Sequence, residues 1–80
     1  MIKYSKEAEK FILSQGKSTA LRLYKAIEGL PLGDVKRLQG NKNPPLYRLR
    51  VGNYRVIFCS ERDTFVILRV DNRSDVYKRL

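Results

Sequence analysis

The chain has 80 residues, enough for a single domain (1–80), and is 42% hydrophobic and 31% charged, the balance of a globular fold rather than a disordered tail. Seventeen Lys plus Arg against eight Asp plus Glu give a net charge of +9, which draws polyanions such as nucleic acid or an acidic protein. With no histidine and one cysteine, a Ser–His hydrolase and an internal disulfide are excluded, and the usual metal-ligand spacings are missing, so no metal and no cofactor is expected.

No apolar run approaches the roughly 20 residues that span a bilayer. The opening MIKYSKEAEK is too polar for a secretory signal, so a cytoplasmic location away from membranes is expected. The type of cation changes along the chain. Residues 1–40 hold six Lys and two Arg, whereas residues 41–80 hold seven Arg and two Lys. Lysine is a flexible solvating charge, but the arginine fork suits phosphate and stacks on bases.

In chain order, Ile2 to Tyr4 predicts a short edge strand. Ser5 reads as an N-cap for a helix whose Ala8, Phe11 and Ile12 recur at i, i+3, i+4, with Gly16 stopping it. A second helix is expected from about Ser18, presenting Leu21, Leu23 or Tyr24, and Ile27 on one side. Gly29 then takes the C′ position, and Pro31 forbids continuation. Residues 30–46, with their Pro, Gly and Asn, read as a solvated connector pinned by Val35 and Leu38. Lys36, Arg37 and Lys42 are its candidate phosphate contacts.

From Tyr47 the apolar period becomes two. Gly52-Asn53 between two alternating runs signals a two-residue hairpin turn. That register sets Val51 opposite Tyr54, Arg50 opposite Arg55, Leu49 opposite Val56 and Arg48 opposite Ile57. Tyr47, Leu49, Val51, Tyr54, Val56 and Phe58 then form the core face, while Arg48, Arg50 and Arg55 gather on the other. Like charges directly across a sheet repel, and an anion held between them would relieve the repulsion. A third run, Phe65 to Val70, is expected after a three-residue turn at 61–63. It would pair Phe58 with Val66, Val56 with Leu68 and Arg55 with Arg69, putting Val66, Leu68 and Val70 in the core and a fourth arginine on the basic face. An even turn is disfavoured because it would push an unpaired Arg69 towards the helices. The whole predicts an α+β fold: a helical hairpin packed on a small, twisted, mainly antiparallel sheet of three to four strands.

Catalysis, if present, must come from Arg, Lys and Tyr. Cys59 lacks a base and reads as a packing residue. RNA cleavage by its own 2′-hydroxyl fits, since it needs an in-line oxygen and stabilisation of a doubly charged phosphorane by fixed cations.

The segments YRLRVGNYRVIF and ILRVDNRSDVYKRL resemble the strand-rich half of the RelE/ParE toxin superfamily, and the helical hairpin and LPLGDVKRLQG connector match that layout. The resemblance covers nearly the whole chain. It implies the toxin of a type II toxin–antitoxin pair, a ribosome-dependent endoribonuclease that cuts messenger RNA in the decoding site without metal and is silenced by a cognate antitoxin. It further implies that Arg48 and Arg50 stand where RelE-type enzymes place basic residues before the hairpin turn. Arg55 matches the arginine that contacts the scissile phosphate, Arg73 the arginine near the C-terminus, and Tyr77 the tyrosine that stacks on a substrate base. Arg69 and Lys78 complete the expected RNA contacts. The chain departs from RelE in carrying Arg48 and Arg50 where RelE has lysines, and Asp71-Asn72-Arg73 where many relatives read Gly-His-Arg. Two other functions fit the same superfamily: a ParE-like, non-enzymatic inhibitor of DNA gyrase, and a degenerate toxin that only binds its antitoxin.

Overall fold

The computed structural model describes residues 1–38, 40 and 44–72. Along the chain run β1 (Ile2–Tyr4), α1 (Lys6–Ser14), α2 (Lys17–Glu28), β2 (Asp34–Arg37), β3 (Leu46–Val51), β4 (Tyr54–Glu61) and β5 (Thr64–Asn72). The strands form one sheet of order β1-β5-β4-β3-β2. Among the described residues, only β1, beside β5, is parallel to its neighbour. The α+β reading holds, with five strands among the described residues where three to four were expected. The added strand is β2, inside the stretch expected to be a solvated connector. It pairs antiparallel with β3, setting Val35 opposite Leu49. Four residues with one apolar member carry no visible alternation; the open edge of β3 makes them a strand.

Ser5 joins the layers. It has extended backbone, and its Oγ accepts from the Ala8 N–H at 3.0 Å while donating to the Leu68 carbonyl at 2.8 Å. Its own backbone N–H donates to the Ile67 carbonyl at 2.9 Å. One hydroxyl thus caps α1 and ties it to β5. Glu7 and Glu9 in the first turn complement the helix dipole. Ser5→Ala is expected to lower unfolding free energy by about 1–2 kcal/mol, read as a lower urea midpoint at constant slope; an unchanged midpoint would show that the tie contributes nothing.

Gly16, with φ of 91°, forms the N-cap of α2 and reverses the chain between the helices. The buried stripe of α2 is Ala20, Leu23 and Ile27. Leu21, expected on that side, is exposed, because it lies about 100° from Ala20 around the helix. Gly29, expected at C′, is instead the C-cap of the helix with a right-handed φ of −79°, and its N–H reaches the Lys25 and Ala26 carbonyls. Ala8 and Ile12 of α1, the α2 stripe, and Leu49, Val51, Val56, Phe58, Ile67 and Val70 of the sheet form one core.

The β3–β4 hairpin has the predicted register throughout: Val51 faces Tyr54, Arg50 faces Arg55, Leu49 faces Val56 and Arg48 faces Ile57. Gly52 takes φ of 58° at the first turn position, the place of glycine in the primed two-residue turn. The β4–β5 register differs from expectation. Glu61 faces Thr64, so the turn has two residues, Arg62 and Asp63, not three. Phe58 then faces Ile67, not Val66, and a bulge at Ile57/Phe58 inserts one extra residue on β5. Beyond it Val56 faces Val70, not Leu68, and Arg55 faces Asp71, not Arg69. Ile67 and Val70 are the buried pair, while Val66 and Leu68 are only half-buried. An even turn plus one extra residue has the same parity as an odd turn. Arg69 therefore still points away from the helices, as the cost of burying its charge demands.

Candidate nucleic-acid interface

Cross-strand partners share a face, so the register maps the surface opposite the helices. One row across four strands reads Asp34, Arg50, Arg55, Asp71; the next reads Lys36, Arg48, Ile57, Arg69. In these two rows five cations thus stand with two carboxylates on one open face. Arginines from three neighbouring strands converge there, which local alternation alone cannot show.

The carboxylates were not foreseen as part of the site. Arg55 is held two-pronged by Asp71, Nε to Oδ1 at 3.3 Å and Nη2 to Oδ2 at 3.2 Å. Arg69 Nε lies 3.6 Å from the same Oδ2. Arg48 Nη1 reaches the Asp34 carbonyl at 3.4 Å and its Oδ1 at 3.5 Å. The repulsion between Arg50 and Arg55 is therefore offset in part by aspartates at both ends of their row. Arg50 makes no ion pair among the described residues. The alternation of Arg69 with Asp71 is a signal that both share a face; placing Asp71 opposite Arg55 requires the bulge.

Lys36 joins the cluster from β2, so its placement in a solvated loop is corrected. Arg37 does not join it. Its partner is Tyr47, on the core side of the sheet. Lys42, Arg73, Tyr77 and Lys78 lie outside the described residues. One cation beyond the expected set approaches the hairpin: a Cβ on Gly52 would lie 2.6 Å from Arg22 Nη2. No strand period points to a residue reaching over from α2.

Cys59 is buried and makes no disulfide. Burial first, and Glu61 second, push its thiol pKa up, so it stays protonated and fits a packing role. Burial likewise pushes Tyr4 up to about 12, with Tyr24, Glu28 and Glu9 adding to the effect, and the ring packs edge-on to Tyr24 at 5.4 Å. Among the described residues, no group of three or more Cys, Asp or Glu side chains is arranged to hold a metal ion, and no helix is long and apolar enough to cross a membrane.

Comparison with known proteins matches residues 2–77 to the family model of the ParE toxin of the type II toxin–antitoxin system parDE. Toxin RelE3 of Methanocaldococcus jannaschii is 41% identical over 44 residues, 55% of this chain and 48% of that protein; the match thus spans about half the length of the curated relative. Among solved structures, the archaeal RelE–RelB complex from Pyrococcus horikoshii superposes with a TM-score of 0.72 at 29% identity, covering 90% of this chain and 92% of that one. The RelB–RelE antitoxin–toxin complex from Methanococcus jannaschii gives 0.70 at 29% identity, covering 98% of each.

Proposed function

Because the chain belongs to the ParE toxin family of type II toxin–antitoxin systems, we propose that it is a toxin that cuts messenger RNA in the decoding site of the ribosome. The observation that carries this reading is the open face on which Arg50 and Arg55 stand directly across from one another, flanked by Arg48, Arg69 and Lys36. A phosphodiester laid over that face meets fixed N–H donors from several strands. These donors favour the phosphorane that forms when the 2′-hydroxyl attacks in line, because its extra charge develops where the guanidiniums already point. Arg73 and Tyr77, by the family resemblance, would add a further cation and a base-stacking ring.

The chain has no histidine, and arginine stays protonated to above about pH 12. As the 2′-oxygen bonds to phosphorus the bond to the 5′-oxygen breaks, leaving a 2′,3′-cyclic phosphate and a 5′-hydroxyl; ribosomal or solvent groups take the proton of the attacking hydroxyl and supply one to the leaving oxygen, while the protein supplies electrostatics and position. The partner that silences it is a cognate antitoxin, a reading supported by the two similar structures being toxin–antitoxin complexes. An acidic segment would neutralise the basic face.

The matched family model is that of ParE, which favours a second reading: inhibition of DNA gyrase without catalysis. Fold cannot separate the two. Purified protein added to ribosomes programmed with a defined message is expected to cleave it, to spare the same message free in solution, and to leave gyrase supercoiling untouched. Intact message together with arrested supercoiling would replace the first reading by the second.

A further inference from the structure

Two guanidiniums converge on one carboxylate in this site, and the order of exposure shows which group lies beneath. The Asp71 side chain is 18% exposed, Arg55 38% and Arg69 63%. A carboxylate that merely blocked the site would be the outermost of the three; here it is the innermost. The two-pronged contact uses the Nε and Nη2 edge of Arg55, so among the described residues both N–H groups of Nη1 remain available to a ligand. Asp71 lies on β5 directly opposite Arg55 on β4, so the sheet ladder itself fixes the pair.

We propose that Asp71 is a positioning residue: it holds Arg55 in one orientation and restrains Arg69, so that both forks meet a phosphodiester already aimed. Its negative charge weakens the ground-state attraction for RNA, and the fixed geometry is what it contributes in return. A bidentate carboxylate orients arginine far better than a single charge does, and preset donors stabilise a developing charge without reorganising at the moment of reaction. The effect on cleavage rests on the ribonuclease reading above; the ordering of Arg55 does not.

The test is Asp71→Asn, which keeps the shape and removes the charge. On programmed ribosomes its single-turnover cleavage rate at saturation is expected to fall about tenfold or more. Binding to ribosomes carrying a message with 2′-deoxy nucleotides in the decoding site is expected to be no weaker, with a salt dependence at least as steep. Asp71→Glu, which restores the charge one methylene further out, is expected to recover part of the rate. Independently of activity, nitrogen-15 NMR of the free protein is expected to show the Arg55 Nε–H slow to exchange in the parent protein and fast after Asp71→Asn. The Arg50 Nε–H, with no ion pair among the described residues, serves as the fast reference.

An unchanged cleavage rate in a folded Asp71→Asn protein, or weakened binding with the saturated rate intact, would overturn the proposal. So would an Arg55 Nε–H that exchanges as fast as that of Arg50 in the parent protein, a result that stands even if the asparagine variant does not fold. Ribosomes left uncut by the parent protein would defeat the ribonuclease reading alone, with the exchange measurement still deciding the role of Asp71.

Discussion

Arg55→Ala is expected to reduce message cleavage on programmed ribosomes by at least about 10²–10³-fold, the loss typical of removing one preorganised donor from a developing anion. The variant should stay folded. Arg55 sits 38% exposed in its pair with Asp71, and a pair that open to water contributes no more than about 1 kcal/mol. Asp71 would retain Arg69 at 3.6 Å. Arg55→Lys is expected to fall nearly as far, because an ammonium keeps the charge but not the planar fork. Arg62→Gly is the control for net charge: it removes one cation at the far end of β4, at a residue whose φ of 56° glycine adopts freely. Single-turnover rates with unfolding curves check all three. Cleavage by Arg55→Ala at the parent rate, or an equal loss in Arg62→Gly, would show that general basicity rather than a placed fork drives the reaction.

Ile67→Ala is expected to cost about 2–5 kcal/mol, the range for truncating a fully buried aliphatic side chain. Ile67 has no exposed surface, and it stands between Tyr4 on β1 and Phe58 on β4 in the register. A small domain has a stability of about 5–15 kcal/mol in total, and one this short belongs near the lower end. The loss should therefore leave a large unfolded fraction at moderate temperature. Leu21→Ala, at an equally apolar residue that is exposed, should change stability by no more than about 0.5 kcal/mol. Urea titrations of the two variants decide the matter. Comparable losses at both positions would mean that the core is not where the buried stripe of α2 and the inner sheet face put it.

Much of this architecture can be read residue by residue. Ser5 as a cap, the apolar spacing of Ala8 and Ile12, and the Gly52-Asn53 turn between alternating runs are local signals. Each is interpreted by geometry that spans only a few residues. The same holds for the separation of Leu49, Val51, Val56 and Phe58 from Arg48, Arg50 and Arg55. An alternating pattern beside a two-residue turn leaves one register, and that register already puts three arginines together.

Three features depend on contacts between distant segments instead. The strand Asp34–Arg37 exists because β3 offers it an edge; nothing in its four residues announces it. The bulge on β5 settles a competition between Ile67 and Val70, which both seek the core, and Arg69, which cannot enter it. An odd turn alone would bury Val70 with Val66 and Leu68 and turn Ile67 outward; only the even turn with an extra residue satisfies all three, and local pattern does not choose between them. That choice sets which residue faces Arg55, and so whether the arginine cluster contains its own carboxylate. Charge and alternation along the chain were enough to announce a basic face; the long-range pairing of β4 with β5 put Asp71 beneath it, because the turn and the extra residue together slide β5 by one same-face position and so bring Asp71, not Arg69, opposite Arg55.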